Sequence, residues 1–353
     1  MTSKERIIAA LSHREADRVP FLEEPWSLTL TRWIGEGLTE TQPFDVALGI
    51  DPFIKIRLDN SFRLPEKTIE ETDEYIIRQD SNGAWLRTFK NSESTPEVVK
   101  TTINSRSAWE EHKHLLEFTP ERLNLDENTP VYEKARRQDY FVHFSMNFCY
   151  ERWGRIVGLE NYLIALIEDP QWIREMHQAD IRLFLEAYEE MTARGMHFDG
   201  ARFSNDMGYR NGPLFSPQLY REIFQPGLER LCDYFHDRGL FTILHSCGNV
   251  NDLISDFIQT GFDSLNPVEV KAGMDLLKLK KMYGEQLCFM GGIDARKMSD
   301  SEQIITEEIR SKVGEAKKGG GYIFHSDHSV PDTVSLEQFK RIIELAFEHG
   351  RYG

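Results

Sequence analysis

The sequence predicts an α/β fold, a (β/α)8 TIM barrel, and three observations support this prediction. Short apolar runs alternate with amphipathic helical patterns along most of the chain, and several of those patterns end at glycine. Such alternation is typical of parallel strands joined by right-handed helical crossovers. Eight strand candidates within 353 residues fit one barrel with insertions. No Gly-x-Gly-x-x-Gly follows the first candidate, which disfavours an open doubly wound sheet.

Six of the eight predicted strands are followed by a clear helical pattern. The strands are predicted at residues 19–23, 52–58, 140–144, 198–203, 240–245, 262–266, 287–290 and 322–325. Helices are predicted at residues 3–13, 27–35, 107–116, 161–193 with a break at Pro170, 216–238, 249–260, 272–283, 299–318 and 335–349. The first two helices form an N-terminal elaboration, and residues 1–353 are predicted to form a single domain.

Residues 68–90 depart from the alternation of strands and helices, and their pattern predicts an inserted β-hairpin. Polar and apolar residues alternate on both sides of Ser81-Asn82-Gly83, which is a strong turn signal. The insertion could act as a lid or as an interface. Its strand edges could pair with a second chain, so a homodimer is one possible assembly.

Composition excludes several classes of partner. The net charge of -16 argues against nucleic acid, whose phosphates would be repelled. No stretch approaches the roughly 20 apolar residues of a membrane span, and the charged N-terminal helix is unlike a signal peptide. The sequence therefore predicts a soluble cytoplasmic protein. Of the four widely spaced cysteines, Cys232 and Cys288 are predicted to be reduced core residues.

The strongest chemical feature is His245-Ser246-Cys247, at the end of the fifth predicted strand. Side chains two apart on a strand point to the same side, so the imidazole and the thiol are neighbours. The carboxyl ends of strands are where a barrel places its active site. Alone the pair is a weak signal, because buried histidines and structural cysteines are common.

Polar residues also follow the other predicted strands. They are Glu23, Glu24, Asn147, Asp206, Tyr209, Glu269, Asp294, His325, Asp327 and His328. Some of these groups simply cap turns. Asp206 and Asp294 could anchor a substrate by hydrogen bonds, or equally bind local backbone amides.

These residue types favour a zinc site. His245 and Cys247 would supply nitrogen and sulfur, and His328 or His325 from the last loop could supply a third ligand, with a carboxylate as another alternative. Three protein ligands with one open position are typical of catalytic zinc. In a metal-free alternative, Asp327 orients His328 as a general base, or simply caps its turn.

With these residues identified, the chain resembles the uroporphyrinogen decarboxylase superfamily. The resemblance runs from Arg6 and Asp17-Arg18-Val-Pro20 to the last helix. It is carried most strongly by His245-Ser-Cys-Gly248, Gly291-Gly-Ile-Asp294 and His328-Ser-Val-Pro-Asp-Thr, followed after three intervening residues by Glu337. The family fold is a (β/α)8 barrel, in agreement with the strand count.

The chain is more similar to the corrinoid methyltransferase branch than to the true decarboxylase. The decarboxylase holds a carboxylate-rich tetrapyrrole with arginines after the first strand. Here that place contains Glu23 and Glu24, which would repel such a substrate. The methyltransferases carry a His-x-Cys zinc motif, matched by His245 and Cys247. Their distant third cysteine is replaced here by His328.

The resemblance implies zinc at the mouth of the barrel and cobalamin carried by a partner corrinoid protein. A methyl group would move between that cofactor and a small methoxy compound or thiol. Asp206, Tyr209 and Glu269 would shape the pocket, Asp294 could anchor the substrate, and Asp327 would orient a ligand imidazole. Two alternatives stay open at this point: a metal-free decarboxylase, and a binding barrel without catalysis. The methyl donor, the acceptor and the direction of transfer also stay open.

Overall fold

The computed structural model describes residues 1–91 and 95–353, and its strands form three sheets. The strands are β1 (Phe53–Arg57), β2 (Lys67–Glu71), β3 (Tyr75–Gln79), β4 (Trp85–Phe89), β5 (Glu97–Lys100), β6 (Phe141–Asn147), β7 (Gly200–Ser204), β8 (Gly208–Tyr209), β9 (Gly212–Pro213), β10 (Phe241–His245), β11 (Ser264–Val268), β12 (Cys288–Gly291) and β13 (Tyr322–Ile323). The main sheet has seven parallel strands in the order β1-β6-β7-β10-β11-β12-β13.

Helices connect these strands. They are α1 (Ser3–Leu11), α2 (Ser27–Gly35), α3 (Phe44–Leu48), α4 (Arg106–His112), α5 (Leu125–Arg137), α6 (Cys149–Val157), α7 (Leu159–Glu168), α8 (Pro170–Ala193), α9 (Pro217–Leu219), α10 (Gln225–His236), α11 (Ile254–Thr260), α12 (Leu276–Tyr283), α13 (Glu302–Ala316) and α14 (Leu336–Gly350). Among the residues described, no helix is both long and apolar enough to cross a membrane.

Seven of the eight predicted strands are confirmed, and the first is reduced to a bridge. Phe21 pairs in parallel with Phe324, and its carbonyl accepts a hydrogen bond from the Asp51 N–H at 2.9 Å. This segment therefore lies between the last strand and the residues that precede β1. Pro20 has no N–H to donate, but its carbonyl accepts the Phe324 N–H at 2.9 Å.

Two apolar layers stabilise the main sheet. The larger core lies between the sheet and the helices. A second, smaller cluster joins α1 to the sheet and contains Ile7, Ala10, Leu11, Leu22, Phe141, Ile243, Cys288, Met290 and Ile323. Because α1 contributes three of these side chains, this helix covers one apolar face of the sheet. Cys232 and Cys288 are free and fully buried, as expected of core residues.

The insertion is larger than the predicted hairpin. It is a four-stranded antiparallel sheet in the order β2-β3-β4-β5, and the turn at Ser81-Asn82-Gly83 joins only β3 to β4. A second turn precedes β3, where the Thr72 hydroxyl accepts hydrogen bonds from the backbone of Glu74 and Tyr75 at 3.2 and 3.1 Å. Polar and apolar residues alternate through this turn, so the sequence pattern predicted one long strand there.

The first helix ends earlier than predicted. It is capped by Thr2, through a reciprocal pair of hydrogen bonds with Glu5. It ends at Leu11, before the positive φ of 52° at His13. In addition, α3, α5 and α6 lie in stretches where no helix was predicted from the sequence.

The buried His177 on α8 should make stability depend on pH. Burial lowers the pKa of His177 to about 3, and the hydroxyl of Tyr162 lies 2.7 Å from its Nε2 atom. The unfolded chain takes up a proton below about pH 6.5, whereas the folded chain does not until about pH 3. Protonation therefore favours unfolding across this window, by roughly 2 kcal/mol between pH 7 and pH 5.

Urea unfolding of His177→Gln at these two pH values checks the effect. The variant should lose less stability than the wild type on acidification. The exposed His197 provides the control, because His197→Gln should leave the wild-type dependence unchanged. An unaltered pH dependence in His177→Gln would contradict this assignment.

Candidate functional site

The carboxyl ends of β7 and β10 bring three potential metal ligands together. One ligand atom each from Asp206, His245 and Cys247 lies within 4.8 Å of the other two. The Nε2 atom of His245 is 3.6 Å from the Cys247 sulfur and 3.6 Å from Oδ1 of Asp206. These strands are neighbours, and their register pairs Ser204 with His245. Asp206 and Cys247 therefore occupy equivalent positions. Asp206 lies two residues after the end of β7, and Cys247 lies two residues after the end of β10.

Direct backbone contact between the two loops holds this group. Oδ1 of Asp206 accepts the Cys247 N–H at 2.9 Å, and the Gly208 N–H donates to the Cys247 carbonyl at 3.1 Å. Gly248 has a φ of 84°, and a Cβ there would overlap the backbone of Gly208. Glycine is required at this crossing, because any side chain would push the two loops apart.

Asn266 determines which nitrogen of His245 is free. The Asn266 side-chain oxygen lies 2.7 Å from Nδ1 of His245 and 3.0 Å from a guanidinium nitrogen of Arg202. Because a guanidinium can only donate, this oxygen is an acceptor, so Nδ1 carries the imidazole proton. The 3.1 Å approach of Arg202 to Nδ1 is then a contact between two donors. The lone pair of Nε2 is consequently directed toward Asp206 and Cys247.

The electrostatics of the group favour a bound cation. Burial, and then the nearby Arg202, lower the pKa of His245, so its imidazole is neutral. Burial, and then the charges of Asp206 and Glu269, raise the pKa of the Cys247 thiol. A metal ion at this position would reverse that effect on the thiol. A neutral imidazole, a thiol and a carboxylate at these distances fit the donor set that zinc prefers.

His325 and His328, the two other histidines predicted as possible zinc ligands, lie outside this group. His328 lines a cavity of about 490 Å³ together with Cys247, and its ring centroid is 5.6 Å from that of Trp26. Burial, and then Lys271, lower the pKa of His328. His325 is buried, and its Nδ1 lies 2.7 Å from the backbone oxygen of Ser326. Of these two, His328 shares a cavity with Cys247.

Two of the predicted carboxylates, Glu269 and Asp327, hold loop backbone. Glu269 accepts the N–H of Gly248, which follows Cys247 directly. Asp327 accepts the N–H groups of Ala295 and Lys271, at 2.8 and 3.2 Å. Its contacts thus differ from those expected of a residue that orients His328.

Asp294 is buried, whereas Tyr209 is exposed at the cavity of the site. Asp294 binds the backbone and side chain of Arg296, whose guanidinium lowers the pKa of the Asp294 carboxyl. Of the two roles predicted for Asp294, the structure therefore shows the binding of a local backbone amide. Tyr209 is 66% exposed and lines the same cavity as Cys247, so it can contact a molecule entering from solvent.

Glu23 and Glu24 do not form the free negative surface that the sequence suggested. Glu23 is buried and accepts hydrogen bonds from the backbone and hydroxyl of Ser326, at 2.6 and 2.8 Å. Glu24 is paired at 2.7 Å with Arg202, which lowers the pKa of Glu24 well below its usual value. Both acids have internal partners, so their repulsion of an anionic substrate is weaker than predicted.

Arg202 is a functional residue that was not predicted from the sequence. This side chain is only 4% exposed, and it links Glu24 to Asn266 beneath His245. The available signal was an arginine inside an otherwise apolar strand, Ala201-Arg202-Phe203. Such a residue is rarely buried without partners, so it indicates a polar network inside the sheet.

Comparisons with known proteins are consistent with this site. The family model described as uroporphyrinogen decarboxylase (URO-D) matches residues 159–349, more than half of the chain. Two curated relatives, both described as methylcobamide:CoM methyltransferase MtaA, come from Methanosarcina barkeri and from its strain Fusaro. They are 27% and 26% identical over 136 residues, and each alignment covers 38% of this chain and 38% of the relative.

A solved structure shares the fold. It is described as a methyltransferase from Methanosarcina mazei, with a TM-score of 0.68 and 17% identity, over 99% of each chain. The family match also includes both His245 and Cys247. The chain therefore belongs to the uroporphyrinogen decarboxylase family, and the curated relatives it resembles are methyltransferases of that family.

Proposed function

We propose that this protein is a zinc-dependent methyltransferase that moves a methyl group between a small substrate and a corrinoid cofactor on a partner protein. The observation that carries the proposal is the group of Asp206, His245 and Cys247 at the carboxyl edge of the sheet. Its donor set fits zinc, and the curated relatives named above suggest the corrinoid partner. Asp206 is the third ligand that the geometry favours, and His328 is the alternative.

Bound zinc would supply Lewis-acid chemistry at the heteroatom that gains or loses the methyl group. The residues of the chain prepare that position. Asn266 holds the tautomer of His245, and Glu269 holds the loop that carries Cys247. Tyr209, exposed beside the cavity, would contact the incoming substrate or the partner protein.

The arrangement of the whole chain supports a barrel mouth at this edge. We infer that the segment at Phe21 closes the sheet into an eight-stranded barrel, because it bonds to Phe324 on one side and to Asp51 on the other. Residues 1–353 would then form one domain with β2–β5 as its insertion. The outer strands of that insertion, β2 and β5, are the edges through which a homodimer could form.

A spectroscopic assay tests the proposed activity. Zinc-loaded protein is mixed with methylcobalamin and a thiol, or with reduced cobalamin and a methoxy compound, and the corrinoid spectrum is followed. We expect protein-dependent methyl transfer in one direction, abolished in Cys247→Ala. An unchanged corrinoid spectrum with every substrate pair, alongside decarboxylation of a porphyrinogen by the same sample, would replace this proposal with the decarboxylase alternative.

A further inference from the structure

The face of the main sheet that α1 covers becomes polar toward the carboxyl end of β6. Phe141 belongs to the apolar cluster that joins this face to α1. His143 and Ser145 follow at intervals of two residues along β6, so their side chains point to the same face as Phe141. Both residues are buried, with exposed fractions of 0% and 2%. They begin a buried polar layer above the apolar cluster.

Several side-chain atoms in this layer have no hydrogen-bond partner among the described residues. They are Nδ1 and Nε2 of His143, the Ser145 hydroxyl, Nε of Arg202 and Nδ2 of Asn266. The register pairs Ser145 with Arg202 on the neighbouring β7, and Arg202 donates to the side-chain oxygen of Asn266 at 3.0 Å. Buried polar groups are normally hydrogen-bonded, so these neighbouring atoms indicate a polar guest molecule.

His143 differs from an ordinary core histidine. Its ring stacks on Phe53, with centroids 4.2 Å apart, but this contact satisfies neither nitrogen. Burial, and then the charge of Arg202, lower the pKa of His143 well below its usual value, so the ring is neutral. A neutral imidazole offers one donor and one acceptor. By contrast, Nε2 of the buried His177 has the hydroxyl of Tyr162 as a partner at 2.7 Å.

A cavity of about 580 Å³ gives access to this layer. It lies between the carboxyl ends of β1 and β6 and the inserted sheet, and its lining includes Lys55 and Ser145. The register pairs Lys55 with His143, so His143 lies beside the inner end of the cavity. The turn between β3 and β4 forms the outer wall. The insertion therefore covers the entrance to the polar layer.

The charges in the cavity lining balance. Asp59 pairs with Arg63 at 2.7 Å, and Arg152 pairs at 3.1 Å with Asp180, which lies outside the lining. Three cations and three acids remain, namely Lys55, Arg57, Arg155, Glu66, Asp80 and Glu151. A charged guest would lose its hydration without a net attraction. An uncharged guest with a hydroxyl group can both donate and accept, as the unpartnered atoms require.

The polar layer is adjacent to the candidate metal centre. Arg202 is paired in the register with Ser145, and its guanidinium lies 3.1 Å from Nδ1 of His245. The register also pairs Asn147 with Ser204, and Ser204 with His245. The top of β6 is therefore two strand spacings from His245, roughly 10 Å. A small molecule bound at the metal centre can extend a second polar group toward this layer.

We propose that His143 and Ser145 bind an uncharged hydroxyl group of the small methyl-bearing substrate. The substrate class is then a neutral molecule that carries a hydroxyl group a few bonds from its methylated heteroatom. This inference rests on the proposed methyl transfer. It gives a role in substrate selection to two buried residues whose polar side-chain atoms have no partner in the described structure.

Binding of two matched ethers tests the proposal. 2-Methoxyethanol is compared with 1-methoxypropane, in which a methyl group replaces the hydroxyl, by ligand-observed NMR titration without corrinoid. We expect 2-methoxyethanol to bind more tightly, although it is the less apolar molecule. Ser145→Ala should weaken its binding about threefold to tenfold, and His143→Phe/Ser145→Ala should remove the preference, with no change for 1-methoxypropane.

Two charged analogues test whether the site selects a neutral group. Methoxyacetate and 2-methoxyethylammonium carry opposite charges near the position of the hydroxyl, and both should bind more weakly than 2-methoxyethanol. Tighter binding of either ion would overturn the proposal. Ser255→Ala is the matched control, because Ser255 is exposed on α11 and lies outside the cavity lining, so this variant should keep the preference.

Equal binding of the two ethers by the wild type would overturn the proposal and leave ordered water as the guest. A preference that survives in the double variant would do the same. Phenylalanine keeps the stacking on Phe53, so the double variant should fold. If it does not, Ser145→Ala alone decides the question, since it removes a single oxygen and must weaken binding of 2-methoxyethanol alone.

The outcome is separable from that of the proposed function. If methyl transfer fails while the double variant loses the preference for the hydroxyl compound, the binding site stands and the methyltransferase assignment falls. If transfer proceeds but the wild type shows no preference, the inference about His143 and Ser145 alone is rejected.

Discussion

Replacing Cys247 with alanine should abolish stoichiometric zinc binding. The variant removes the sulfur donor from a group whose ligand atoms lie within 4.8 Å of one another. Mutation of outer residues around a metal site already costs about 10–100-fold in affinity, so loss of a direct ligand should exceed that range. Elemental analysis after dialysis against a weak chelator would measure the effect, with about one zinc per chain expected in the wild type.

Cys232→Ala is the control for this experiment. Cys232 is buried on α10 and belongs to the apolar core rather than to the ligand group. Its removal should leave the zinc content unchanged. Retention of one zinc per chain by Cys247→Ala, with undiminished affinity, would exclude the proposed centre.

The same measurement identifies the third ligand. Asp206→Ala should lower zinc affinity more than His328→Ala, because Asp206 is within the three-residue group and His328 is not. The reverse order would favour the His328 ligand implied by the family resemblance. It would also require His328 to move toward Cys247, within the cavity that both residues line.

Replacing Asp51 with alanine should produce the largest loss of stability, about 3–5 kcal/mol. The Asp51 side chain is fully buried and accepts hydrogen bonds of 2.6 Å from Arg6 and from Arg18. It also accepts the Phe21 N–H at 2.9 Å. Asp51 therefore connects α1, the segment at Phe21 and the start of β1, and its loss leaves two guanidinium groups without their shared partner.

Chemical denaturation would measure this loss. Asp237→Ala is the control, because Asp237 is exposed at the end of α10 and should change stability only slightly. Asp51→Asn keeps part of the hydrogen bonding, so its loss of stability should lie between those of Asp51→Ala and Asp237→Ala. A change of less than about 1 kcal/mol in Asp51→Ala would show that the two arginines find other partners.

The fold was predictable where periodicity is strong. The seven strands of the main sheet coincide with short apolar runs, and helix α2 occupies the predicted residues 27–35. Where local polar contacts decide the structure, periodicity failed. The turn at Thr72 divides an apparently continuous strand, and β5 lies in a polar stretch that carries no apolar run.

The closeness of His245 and Cys247 was predictable from the sequence, because the strand period places residues two apart on one side, although β10 itself ends at His245. The position of Asp206 beside them was not predictable in this way. It depends on the pairing of the parallel strands β7 and β10 and on the close approach of the two loops at Gly248. Arg202 and Asn266 lie on different strands, so their joint control of the His245 tautomer also exists only in the folded sheet. The ligand types are thus local properties of the sequence. Their separation, protonation and cationic neighbours depend on contacts between residues far apart in the chain, which only the tertiary structure decides.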